Sequence, residues 1–165
     1  MKKLIILAAV ILLPSGVFAQ GKIAFVNTQE VLTAMPELSD MEKKMADLNE
    51  SYKKELELMQ GEYDKKYQMY MSQQDSLTEN IKLRRMQELQ DIQGRMENVY
   101  QMAQSDVPKK QEELYQPIQQ KMMEAIKSIG TENGFLYILN PAAILFTGTD
   151  AVDATPQVKA KLGLK

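Results

Sequence analysis

The chain has 165 residues, 44% of them hydrophobic, with 20 basic side chains against 22 acidic ones. It contains neither histidine nor cysteine, which excludes histidine-based triads, thiol nucleophiles, disulfides and ordinary zinc sites. A net charge of −2 also argues against a generally basic, nucleic-acid-binding protein.

Lys2 and Lys3 precede an apolar run from Leu4 to Leu13, then Pro14-Ser15-Gly16 and Val17-Phe18-Ala19. These are the charged start, short hydrophobic stretch and small-residue cleavage site of a secretory signal. Residues 1–19 are therefore expected to be a signal peptide, cut after Ala19, with export to an oxidising space. The run is well short of the ~20 residues of a spanning helix. No cysteine follows it, so a lipoprotein anchor is excluded. Loss of Lys2 and Lys3 leaves 20 − 2 = 18 basic residues against 22 acidic ones, a mature charge near −4.

Lys22-Ile23-Ala24-Phe25-Val26-Asn27 alternates and is β-branched or aromatic at Ile23, Phe25 and Val26, which predicts a strand. Asn27 or Thr28 can cap a short helix through Met35, and Pro36 can open the next helix at its first turn. From Glu37 the period becomes helical. Leu38, Met41, Met45, Leu48 and Tyr52 step by three and four, and Leu56, Met59, Tyr63, Tyr67 and Tyr70 continue the seam. The successive four-residue steps 48–52–56 form a stutter that locally unwinds a supercoil. Gly61 lies inside, at about 1 kcal/mol relative to alanine. Residues 72–76 are the turn candidate, with Asp75 or Ser76 capping the return helix. Leu89, Ile92, Met96, Val99 and Ala103 then resume the stripe, and Leu114, Ile118, Met122, Ala125, Ile126 and Ile129 extend it. Pro108 and Pro117 should bend this helix without dividing it.

Phe135 to Leu139 is a continuous apolar run and predicts a strand buried on both faces. Asn140-Pro141 signals a turn, Ala143 to Phe146 a second strand, and Gly148 another turn. Asp153-Ala154-Thr155-Pro156 opens a short last helix reaching Gly163. The fold class is thus α+β: a helical hairpin over 37–133, projecting from a β-containing body built from 20–36 and 134–165. The β pieces and short helices total about 45 residues, near the limit for a core without disulfides or metals. Several copies should therefore pool Ile23, Phe25, Phe135, Tyr137, Ile138, Ile144 and Phe146 into one oligomer core.

The carboxylates interleave with lysines, as in Glu50/Lys54 and Glu62/Lys66, which reads as helix-stabilising pairs on a solvated face. No glycine-rich phosphate loop is present, so neither nucleotide nor other cofactor is expected, and the chain is not read as an enzyme. Ten of the twelve methionines fall in the hairpin. Met41, Met45 and Met96 fit the seam. Met69, Met71, Met86 and Met102 fit it less well and are candidates for an adaptable contact surface. Tyr63, Tyr67 and Tyr70 share one face near the tip. They are either packed against the return helix or part of that surface. With the turn centred on residue 75, Lys65 and Lys66 would face Lys82, Arg84 and Arg85. This basic collar is read as a solvated face or as a contact for clients or the membrane surface.

The order of signal peptide, strand, long hairpin, strands and terminal helix resembles the Skp/OmpH family of periplasmic chaperones. Local matches are residues 22–27, Pro117-Ile118 followed by Ala125-Ile126, Gly134-Phe135 and Asp153-Ala154-Thr155. The resemblance spans the mature chain. It implies a homotrimer with a shared β body and three arms around a cavity. The activity it implies is ATP-independent holding of unfolded outer-membrane proteins. The best-known members are strongly basic and this mature chain is mildly acidic, so no lipopolysaccharide-site residue is carried over. The alternative from another class is a coiled-coil spacer of the cell envelope, which should show a regular seam and little exposed apolar surface.

Overall fold

The computed structural model describes residues 21–164; the expected signal peptide and its cleavage site lie outside them. Strand β1 (Lys22–Phe25) points Ala24 inward, and Val26 just after it, where both are fully buried, while Ile23 faces out. The Asn27 side chain accepts the Glu30 backbone N–H at 3.1 Å and so caps helix α1 (Thr28–Ala34). Met35 is extended, and Pro36 starts helix α2 (Pro36–Gln73) where no backbone N–H is needed. Its 38 residues span about 57 Å.

A single 3-10 turn, Gln74–Ser76, reverses the chain into helix α3 (Glu79–Asn133). Asp75 and Ser76 do not cap α3, whose N-terminus follows Thr78. The Ser76 hydroxyl instead donates to the Gln73 carbonyl at 2.8 Å, which closes the preceding turn. Helix α3 is continuous over 55 residues, about 82 Å, and contains both Pro108 and Pro117. Each proline removes one helical hydrogen bond, but neither ends the helix. Gly134 ends it, at φ 65, a left-handed conformation suited to glycine.

Strand β2 (Phe135–Leu139) lies parallel to β1, with Ile23 opposite Tyr137 and Ala24 opposite Ile138. The whole hairpin is thus the crossover that a parallel pair requires. The predicted strand over Ala143–Phe146 does not form. Asn140 accepts the Ala142 N–H at 3.0 Å and, with Pro141, winds the chain into a short 3-10 turn. The third strand is instead β3 (Val152–Asp153), parallel to β1 on its other edge, in the order β2-β1-β3. Asp153 then accepts the Thr155 N–H at 2.9 Å at the start of helix α4 (Thr155–Lys161).

The sheet's inner face packs on α1, α4 and the base of α3. Val26, Val31, Met35, Ile118, Met122 and Val158 are the centre of this core. A single chain therefore has a body core of its own. The outer face is bare: Leu136 and Tyr137 are exposed, so the two-sided burial expected of Phe135–Leu139 does not hold within one chain.

Candidate functional site

The hairpin seam follows the expected positions over most of its length. Leu38, Met41, Met45, Leu48, Tyr52, Leu56, Met59 and Tyr63 are half-buried, facing buried Leu89, Ile92 and Val99 on the return helix. Three contacts fix the register. The Tyr52 hydroxyl donates to Asp106 at 2.8 Å, Arg95 donates to Glu62 at 3.3 Å, and Gln93 donates to the Tyr63 hydroxyl at 3.2 Å. They place the pivot of the hairpin near Thr78, a few residues beyond 75. Hydrogen bonding to Asp106 raises the Tyr52 pKa above its ordinary value.

Toward the tip the seam changes character. The half-buried positions come to include Lys66, Lys82, Arg85 and Glu88, beside Tyr70, Gln74 and Leu77 at the tip itself. Glu88 accepts from Lys66 at 3.2 Å, Arg85 at 3.1 Å and Arg84 at 3.4 Å. The Lys66 hydrogen bond is the main cause that holds the Glu88 carboxyl below its usual range, with Arg85 adding to it. Lys82 pairs with Glu79 at 2.9 Å, and that bond raises the Lys82 pKa. The basic collar is thus largely neutralised: Lys66, Arg84 and Arg85 converge on Glu88, and Lys65 is exposed without an ion pair among the described residues. The expected Glu50/Lys54 pair forms at 3.5 Å. The expected Glu62/Lys66 pair does not, because both partners reach across the hairpin, to Arg95 and Glu88.

Apolar side chains stand outside this ionic seam. Tyr67, Met69, Met71, Met86 and Met102 are exposed, while Tyr63 and Tyr70 are half-buried. Tyr63 and Tyr67 stack with ring centroids 6.1 Å apart and planes 6° from parallel, joining the seam to the outer surface. Sequence reasoning missed Leu58, Ile81, Leu83 and Tyr100, of which Leu58 is 77% and Leu83 65% exposed. Their signal was phase. Leu58 lies two residues from seam position Leu56 and cannot share its face, and Leu83 is similarly out of step with Lys82 and Arg85.

At the body, Ile23, Tyr137 and Phe146 are exposed, with Phe146 at 84%. Ile23, Phe25, Leu139, Ile144 and Phe146 border an open cavity of about 660 Å³ on the outer sheet face. Phe135 and Ile138 are placed differently, packed against the chain's own core. Among the described residues, no helix is long and apolar enough to cross a membrane.

The sequence model of the family described as "Outer membrane protein (OmpH-like)" matches residues 22–162. A solved protein from Caulobacter crescentus CB15, which carries the provisional description of an OmpH-like outer membrane chaperone, superposes with a TM-score of 0.77 at 12% identity. The alignment covers 87% of this chain and 85% of that one. No curated protein matches the chain significantly. The order of strand, long hairpin, strands and terminal helix, with the family match running through all of them, makes this chain a member of the OmpH-like outer membrane protein family.

Proposed function

We propose that the chain is an ATP-independent holdase of the periplasm, which binds unfolded outer-membrane proteins between the arms of a homotrimer and prevents their aggregation. The observation that carries this reading is the outer hairpin: Lys66, Lys82, Arg85 and Glu88 take seam positions beside Tyr70 and Leu77, while Met69, Met71, Leu83 and Met86 face water. A helical pair that only had to hold itself together would place those side chains inside. Flexible, polarizable methionines suit a surface that must accept many unfolded sequences. The family membership and the description of the Caulobacter protein support a chaperone role.

The outer sheet face supports the assembly. Its exposed apolar side chains and open cavity fit burial by further copies of the chain, and several arms would hold one client by many weak contacts. A spacer of the envelope fits less well, because its arms should be sealed. The test is dilution of a urea-unfolded outer-membrane barrel protein into buffer without ATP. The holdase suppresses light scattering near one trimer per client. Unchanged aggregation contradicts the reading.

A further inference from the structure

The chain offers a two-electron oxidant one kind of target. It has no cysteine, no histidine and no tryptophan, but twelve methionines. The thioether sulfur is therefore the one side-chain group here that a peroxide attacks readily. The periplasm proposed for the chain is an oxidising space.

The fold sorts the methionines by access. Met35 and Met122 are 2% and 4% exposed in the body core. Met41, Met45, Met59 and Met96 are half-buried along the hairpin seam. Met69, Met71, Met86 and Met102 are between 45% and 55% exposed on the arm. Met123 is exposed too, but on the base of α3 beside core residue Met122. Access and damage run in opposite order. A sulfoxide at Met35 or Met122 would bury a polar oxygen among apolar side chains and destabilise the body. A sulfoxide on the arm stays hydrated, and the helix beneath it keeps its packing. What changes there is the surface: a polarizable apolar group becomes a polar one that holds water.

We propose that Met69, Met71, Met86 and Met102 are reversible oxidation sites, through which a peroxide sets the arm's grip on apolar segments of a client. The step is an oxygen transfer. The sulfur lone pair attacks one peroxide oxygen, the S–O bond forms and the O–O bond breaks. The second oxygen leaves as hydroxide and takes the proton from the first, giving sulfoxide and water. Sulfur loses two electrons and the peroxide gains them. Return to the thioether needs a sulfoxide reductase, which supplies two electrons from a dithiol and two protons and releases the oxygen as water. The effect on clients rests on the holdase reading; the choice of sites rests on access alone.

The test exposes the full mature chain to hydrogen peroxide without client and follows the mass of each methionine peptide with time. The exposed methionines oxidise severalfold sooner than Met35 and Met122, and circular dichroism shows the helix content unchanged at that stage. With the peroxide then removed, protection of a urea-diluted barrel protein is reduced severalfold. Treatment with the two methionine sulfoxide reductases, one for each epimer, restores it. A variant with Met69→Leu, Met71→Leu, Met86→Leu and Met102→Leu keeps apolar volume but has no sulfur at these sites. Whatever its starting protection, peroxide changes it little. Core and arm methionines oxidising together, helix lost before protection, no recovery with the reductases, or an equal peroxide loss in the leucine variant overturns the proposal. An untreated chain that protects no client counts against the holdase reading, while the order of oxidation still decides the sites.

Discussion

Lys66 on α2 reaches across the hairpin to Glu88 on α3, Nζ to Oε2 at 3.2 Å, at a level where the seam is otherwise continued by Arg85 and Lys82. Removal of Glu88 leaves two half-buried cations facing each other, whereas removal of both charges leaves a seam that apolar side chains can fill. Glu88→Ala should therefore loosen the tip and speed protease cleavage around residues 72–78. Lys66→Leu with Glu88→Leu should not, and should hold or raise the thermal midpoint. Equal cleavage rates in the two variants would show that the ion pair does not hold the tip.

The pH response follows from the same carboxylates. Glu88, Glu37 and Glu132 are held below the ordinary 4.5, mainly by hydrogen bonds from Lys66, Lys121 and Lys161. A depressed folded pKa stabilises the fold above the unfolded value, and that stability is lost as pH falls through the folded one. With no histidine in the chain, no side chain has an ordinary pKa between about pH 5 and 8. The thermal midpoint should be flat over that range and fall once pH drops below about 4.5. Circular dichroism melts across pH 3 to 8 check this, and a transition near pH 6 would contradict it.

The two faces of the sheet should respond differently. Met35 is 2% exposed in the body core, and Met35→Ala should cost about 2–5 kcal/mol in denaturant unfolding. Tyr137→Asp and Phe146→Asp act on the exposed face. They should keep the helix content and lower the assembled mass. Ile138→Asp, which faces the core, should unfold the body itself.

The exposed arm positions can be separated from assembly. Leu58→Ser with Leu83→Ser, or Met69→Ser with Met86→Ser, should leave mass and melting unchanged and weaken protection of an unfolded barrel protein severalfold. The mechanism is loss of apolar contact area, about 25 cal/mol per Å². Full protection by the combined variant would place client contacts elsewhere.

The hairpin was legible because Leu38 to Tyr63 and Leu89 to Ile129 keep a three-and-four spacing that only a helix satisfies. The caps at Asn27 and Gly134 and the helix start at Pro36 were legible because their geometry is local. The ionic hub was not. A pivot at Thr78 instead of residue 75 changes which charges meet, and periodicity does not fix a pivot to within a turn. Lys66 takes the seam place assigned to Tyr67, which its long aliphatic stem allows. Ala143–Phe146 misled for another reason. An apolar run does not by itself fix strand geometry, and here Asn140 and Pro141 wind the chain into a 3-10 turn that leaves Leu145 and Phe146 exposed.

The most direct test of the holdase account is light scattering coupled to size exclusion, on the mature chain alone and after mixing with a urea-diluted outer-membrane barrel protein without ATP. The account predicts a mass of three chains, then a stable peak of three chains and one client. A single-chain mass, or a trimer that elutes free while the client aggregates, would contradict it.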